Sequence, residues 1–271
     1  MCRGCRHVRD FIAPQWRSVL ARQGLGSFDA LWALQADWFE EPNKRRGGWS
    51  GVVRIEVGGP DGESVGLFLK RQQNHRRRTL RHPLAGEPTF AAEMRNIMAL
   101  NALGVPTLTP VFYAQRKIDG QWRVVLMTVE LEGFRPLDEW TAEWQASGWS
   151  ESRPLRNALI RELAPHIRTM HRAGYVHNAL HPKHVFVRFN RFDEPESRLI
   201  DLEKMRRKYP VLRNMVRDLD SFNRRNLHYS RTERLRFLRA YLGVGHLERN
   251  MRFLWRWLTR RYVRAMQRRR R

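Results

Sequence analysis

The sequence predicts an α+β chain whose β-rich first part, carrying one helix, gives way near Glu130–Gly133 to a mainly helical second part. Three observations predict this. Trp49–Val57, Val65–Lys70 and Trp122–Glu130 are β-branched and apolar, as strands require. Helical periodicity dominates the chain beyond Gly133. No repeat or long flexible linker separates the halves, so residues 1–133 and 134–271 read as interdependent lobes. The chain has 271 residues, 42% of them hydrophobic, with 10 Trp and 13 Phe, enough to bury a sizeable core.

The first two strands, WSGVVRIEV and VGLFLK, are joined by the turn-rich Gly58-Gly59-Pro60-Asp61-Gly62. Thr89–Leu103 is the helix, closed by Gly104 and followed by Pro106. WRVVLMTVE supplies the third strand. Beyond Gly133, Leu137–Ser147 and Pro154–Ala173 are helical, and in the latter Leu155, Leu159, Ile160, Leu163, Ile167 and Met170 share a face. A short hairpin is expected next, with strands near His184–Val187 and Leu199–Asp201. The chain past Asp218 reads as helix.

Charge narrows the partners. The 51 Lys+Arg exceed the 27 Asp+Glu, leaving +24. Asp201–Arg271 holds 22 basic against 6 acidic residues, so two-thirds of the excess sits in the last quarter. Such a field attracts polyanions, including anionic lipid headgroups and phosphorylated glycolipids. In the tail, Leu247, Met251, Leu254, Trp255, Leu258, Tyr262, Val263 and Met266 form an apolar helical face, while Arg249, Arg252, Arg256, Arg260 and Arg264 fill much of the rest. This pattern reads two ways: a membrane-surface helix, or a face packed on its own domain. No aromatic-basic recognition module appears, so nucleic acid is not expected as a partner. No run of 18 apolar residues occurs, and Met1–Gly24 lacks the features of a secretory signal. Cys2 and Cys5 cannot make a disulfide framework, and with His7 they form half a zinc pattern at most. A reducing, cytoplasmic setting is the expectation.

Several residues suggest chemistry. Gly47, Gly48 and Gly51 open the first strand, where glycine lets main-chain N–H groups approach an anion. Lys70 ends the second strand as a cation able to meet phosphate, and Glu93 sits on a helix side able to face the sheet. Each also reads as an ordinary surface position. Tyr175–Val187, YVHNALHPKHVFV, places His177, His181 and His184 within eight residues. Asp201 follows the apolar Leu199-Ile200 and reads either as a hard-metal ligand or as a turn residue.

The order of these parts resembles the protein-kinase fold. More specifically, the chain resembles the lipopolysaccharide-core kinase family on its InaA branch. GGWSGVVRIEV, LFLKRQQNHRRRTLRHPLAGEPTFAAEMRNI, GVPTLTP, HNALHPKHVFV and LIDLEK carry the resemblance across roughly Arg46–Lys204, and RDLDSF at Arg217–Phe222 extends it. It implies a bilobal kinase-like fold, with a small antiparallel sheet and one helix in the first lobe. It also implies ATP and Mg²⁺ as cofactors, and a lipopolysaccharide-core or other anionic glycolipid acceptor at the cytoplasmic face of the inner membrane. Lys70 is implied to contact the ATP phosphates and pair with Glu93, the backbone of Gly47–Gly51 to cover the phosphates, and Glu130–Gly133 to face adenine. Asp201 is implied to bind Mg²⁺, and His177 to open the catalytic loop. Asp218 is implied to buttress that loop, with Asp220 near enough to compete.

The chain departs from the general kinase pattern at three positions. Ala179 stands where the substrate-side Asp is usual, His184 where a metal-holding Asn is usual, and Glu203 where D-F-G has Gly. A methyl group cannot accept a proton from the attacking hydroxyl, and general-base help is worth about 10²–10⁴-fold. Phosphoryl transfer depends mainly on positioning and charge screening, so Lys70, Asp201 and metal can sustain activity without it. His184 can still coordinate the metal and His181 can reach the acceptor hydroxyl, although both equally read as loop-packing residues. The alternative is a catalytically impaired pseudokinase acting by interaction. An aminoglycoside-type substrate fits the fold but not the basic surface, which repels cations.

Overall fold

The computed structural model describes residues 10–45, 47–79, 82–208 and 211–269; Cys2, Cys5 and His7 lie outside them. The chain divides into two compact units, Met1–Met98 with Leu108–Glu132, and Ala99–Thr107 with Gly133–Arg271. Ala99–Thr107, placed in the first lobe by the sequence reading, goes with the second unit. The reason is hydrogen bonding: Leu199 donates its N–H to Pro106 O at 3.0 Å, and Thr107 Oγ1 donates to Leu199 O at 2.5 Å.

The first unit opens with β1 (Phe11–Ile12), α1 (Arg17–Arg22) and α2 (Phe28–Ala33), then β2 (Trp38–Arg45), β3 (Gly48–Gly58) and β4 (Ser64–Gln73). A hairpin, β5 (Arg76–Thr79) and β6 (His82–Pro88), leads into α3 (Thr89–Ala102), followed by β7 (Pro110–Ile118) and β8 (Gln121–Val129). Six strands form one antiparallel sheet in the order β1-β7-β8-β4-β3-β2. The sequence predicts one helix here; α1 and α2 are additional. Their Val19, Leu20, Phe28 and Leu31 join Val53, Leu67, Leu69 and Met127 in one apolar core, which is why the short helices persist.

Alternation along β4 sets the site. Leu67 and Leu69 point into that core, so Phe68, Lys70 and Gln72 point to the opposite face. The strand runs to Gln73, three residues past its expected end at Lys70. Gly104, at φ 66°, closes α3 with Val105 N–H returning to Leu100 O.

The second unit contains β9 (Arg135–Pro136), α4 (Leu137–Ala146), α5 (Arg153–Arg172) and β10 (Tyr175–Val176). A hairpin of β11 (Val185–Phe189) and β12 (Pro195–Leu199) comes next, then β13 (Arg206–Arg207), α6 (Val211–Arg225), α7 (Arg231–Leu242) and α8 (Arg249–Arg269). β12 begins four residues before the expected Leu199, because its pairing with β11 runs from Phe189–Pro195 to Val185–Leu199. The apolar face of α5 is buried as its spacing predicts. No helix among the described residues is long and apolar enough to cross a membrane.

An ion pair locks α5 to α7. Arg156 Nε donates to Glu233 Oε1 at 2.7 Å, and both side chains are at most 5% exposed. Glu233 also completes the capping box with Ser230 that starts α7. Glu233→Gln keeps a capping side chain but strands the buried guanidinium. Removing one partner of such a pair costs about 3–5 kcal/mol. A urea midpoint within experimental scatter of wild type would show that solvent reaches Arg156 and the pair is dispensable.

Candidate active site

In the first unit, Lys70 Nζ lies 2.6 Å from Glu93 Oε1, with the two side chains 20% and 3% exposed. The neighbour that fixes this geometry is Gln72. Its Oε1 accepts from Phe90 N at 2.8 Å and Thr89 Oγ1 at 3.0 Å, tying the first turn of α3 to β4. Glu93, one turn further on, is thereby carried to Lys70, which stands two residues from Gln72 on the same face of the strand. Sequence reasoning missed Gln72; the i, i+2 spacing from Lys70 was the available signal.

The three glycines divide by role. A Cβ on Gly48 would overlap main-chain atoms of Gln73, Asn74 and His75, and one on Gly51 would overlap the Trp38 ring. Both are therefore required by packing within the sheet. Gly47, at φ 72°, lies in the tight turn between β2 and β3, and a Cβ there would meet nothing within 4 Å. Glu130 is engaged locally. Its carboxylate takes the Arg54 guanidinium at 2.8 Å, and its N–H donates to Gly66 O at 2.9 Å.

In the second unit, His177, Ala179, His181, His184, Asp201 and Asp218 form one assembly. Asp218, buried in α6, accepts from His177 N at 2.6 Å and Asn178 N at 2.9 Å. Asp220 does not compete. It pairs instead with Arg261 at 2.9 Å and Arg224 at 3.0 Å. His177 is fully buried, and burial pushes its imidazole down to about 4, so it is neutral. Its Nε2 donates to Ile200 O at 3.0 Å, linking the loop to the residue before Asp201.

Asn178 and Asp201 both hold left-handed backbone, at φ 62° and 55°. Asp and Asn are among the residues that tolerate this region best, and strain there must be held by the surroundings. Asn178 is held: its Nδ2 donates to Val176 O and Lys204 O, and its Oδ1 accepts from Lys208 Nζ. These contacts were not foreseen, because they depend on chain returning from distant positions.

His184 Nδ1 lies 2.8 Å from Ala179 O. A carbonyl only accepts, so Nδ1 carries the hydrogen, and Nε2 faces Asp201 Oδ2 at 3.2 Å. The Ala179 methyl is buried at 3% exposure. The His181 ring stacks on His184 with centroids 5.3 Å apart. Burial, helped by the nearby Arg225 cation, pushes His181 down to about 4, leaving it neutral and a weaker proton acceptor than an ordinary imidazole.

No group of three or more His, Cys, Asp or Glu suited to a metal occurs among the described residues. Two ligands, Asp201 and His184, fit an ion that arrives with phosphate, because Mg²⁺ is commonly held by one or two protein groups, waters and substrate oxygens. The carboxylate suits that hard ion best, and the imidazole is the weaker donor.

A β-rich unit with a lysine–glutamate pair joining strand to helix, and a helical unit with a His-opened loop buttressed by a buried Asp, together define the protein-kinase-like fold class. The sequence matches the lipopolysaccharide kinase (Kdo/WaaP) family over residues 29–241, and the chain belongs to that family. It is 34% identical to Protein InaA of Escherichia coli over 181 residues, covering 67% of this chain and 79% of that protein. It is 27% identical to the lipopolysaccharide core heptose(I) kinase WaaP of Pseudomonas aeruginosa, covering 92% and 93% of the two chains. A solved structure of WaaP in complex with acyl carrier protein superposes with a TM-score of 0.68 at 25% identity, covering 95% of this chain and 99% of that one.

Proposed function

We propose that this chain transfers the γ-phosphoryl group of ATP to a sugar hydroxyl of lipopolysaccharide core, working peripherally at the cytoplasmic face of the inner membrane. The observation that carries the reading is the 2.6 Å Lys70–Glu93 pair, which holds an ammonium on a strand face as phosphate binding requires. The first unit acts as the nucleotide-covering lobe, with Lys70 on the phosphates and Gly47 in the covering turn, and the Glu130–Gly133 main chain at its boundary faces adenine. The second unit supplies the catalytic loop. Asp201, and more weakly His184, would hold Mg²⁺, which would supply charge screening at the phosphates. The acceptor oxygen forms its bond to phosphorus as the bridging P–O bond breaks and ADP leaves. His181, neutral and stacked on His184, takes the hydroxyl proton directly or through water. The +24 charge favours the anionic glycolipid and its membrane.

ATP turnover with purified core oligosaccharide tests this reading. Lys70→Ala lowers turnover by about 10²-fold, the scale of a lost charge-assisted contact to phosphate. Full turnover in a folded Lys70→Ala variant would refute the assignment.

Ala179 favours a second reading, a pseudokinase that binds partners without transfer. It predicts no ADP release above background in any preparation, whatever the acceptor.

A further inference from the structure

α8 resolves one of the two sequence readings of the tail. Its apolar side packs on the second unit: Leu258 is buried, Asn223 Nδ2 donates to Leu258 O, and Tyr262 Oη donates to Leu227 O. The other side leaves a groove of about 630 Å³ between α7 and α8. Arg231, Arg239, His246, Arg252, Arg256 and Arg260 line it, and no carboxylate does. Leu235, Leu247 and Trp255 give it an apolar floor.

Three features show that this concentration of charge lacks internal compensation. Arg231, Arg239, Arg256 and Arg260 make no ion pair among the described residues, whereas Arg261, on the same helix, pairs with Asp220. Arg231 is the first residue of α7, where the helix dipole disfavours a cation and favours an anion. Thr259, also lining the groove, has a buried hydroxyl with no hydrogen-bond partner. Arginines repelling one another around an open cavity are stabilised when phosphate oxygens lie between them.

We propose that this groove binds the phosphate of a lipid headgroup, docking the protein at the anionic surface that the proposed function requires; the proposal rests on that reading. A lipid source is favoured because apolar side chains stand among the same arginines. Phe253, 74% exposed, lies within one turn of Arg256 on α8, and Val263, 45% exposed, lies one turn beyond Arg260. An exposed aromatic and a branched aliphatic among cations suit the headgroup–acyl boundary, where each finds its solvent. A soluble phosphate gives them nothing.

The test is co-sedimentation of the full chain with phosphatidylcholine vesicles containing phosphatidate, which carries a terminal phosphomonoester, or phosphatidylglycerol at matched surface charge. Wild type prefers phosphatidate by about tenfold, the scale of one additional charge-assisted contact. Arg239→Ala/Arg256→Ala loses the preference. Arg249→Ala/Arg264→Ala, the same charge change on α8 outside the groove lining, keeps it. Equal weakening by both pairs would reduce the groove to a diffuse field and overturn the proposal, as would no weakening by the groove pair. Displacement by inorganic phosphate matched to the vesicle phosphate would assign the groove to a free anion. Displacement by an acidic protein that leaves phosphatidate and phosphatidylglycerol equivalent would assign it to a protein partner. Vesicle binding is read without ATP or acceptor sugar, so its failure is separable from failure of the transfer assay with soluble core oligosaccharide.

Discussion

Asp201→Asn lowers phosphoryl transfer to core oligosaccharide by about a thousandfold without unfolding the protein, because it removes the negative charge from the proposed metal site. Asn matches Asp in size and is one of the few residues at ease in left-handed backbone, so the 55° φ at this position survives. The His184 ring, fixed through Nδ1 to Ala179 O, keeps its orientation. What disappears is the anionic oxygen 3.2 Å from His184 Nε2, the group best suited to a hard cation. The check is turnover against Mg²⁺ concentration, beside a thermal melt. The variant retains the wild-type melting profile and needs far more Mg²⁺ for any residual rate. Unchanged turnover at low Mg²⁺ would remove Asp201 from the metal site.

Ala179→Asp raises turnover by about a hundredfold, the lower end of what a positioned proton acceptor contributes. The main chain that would carry the carboxylate is already anchored. Residues 177 and 178 are fixed by Asp218, the carbonyl of 179 is held by His184, and the present methyl contributes no chemistry. Initial rates of ADP release with core oligosaccharide, for parent and variant together, give the answer. A parent with measurable turnover that rises on substitution is a working kinase limited by its missing base. A silent parent that gains turnover is a pseudokinase on an intact platform. A parent with turnover that the carboxylate leaves unchanged or lowers would show that His181, or water, already handles the proton.

Much of this site was legible because kinase-like chemistry places distinctive residues in a fixed order. Taken singly, Lys70, Glu93 and Asp201 also read as ordinary positions; the resemblance implied roles for them and for His177 and Asp218, and the structure joins Lys70 to Glu93 and Asp218 to the loop. The competition between Asp218 and Asp220 was not resolvable from sequence. Both lie in α6, and only the position of Arg261, 41 residues further on, draws Asp220 away. The strands left unread share a different cause. β2, WFEEPNKR, contains Pro42 and little alternation, and it pairs with β3 through two register irregularities. β7 begins as a run buried on both faces and ends polar, so neither strand nor helix period stands out. Sheet membership at these places is conferred by partners remote in sequence, as is the left-handed backbone of Asn178 and Asp201.

The double acceptance by Asp218 has an evolutionary corollary. Because a carboxylate on α6 accepts from two consecutive peptide N–H groups, the main chain leading to position 179 is held without any contribution from side chain 179. A lineage built this way can surrender its proton acceptor, or recover it, through one codon without first rebuilding the platform.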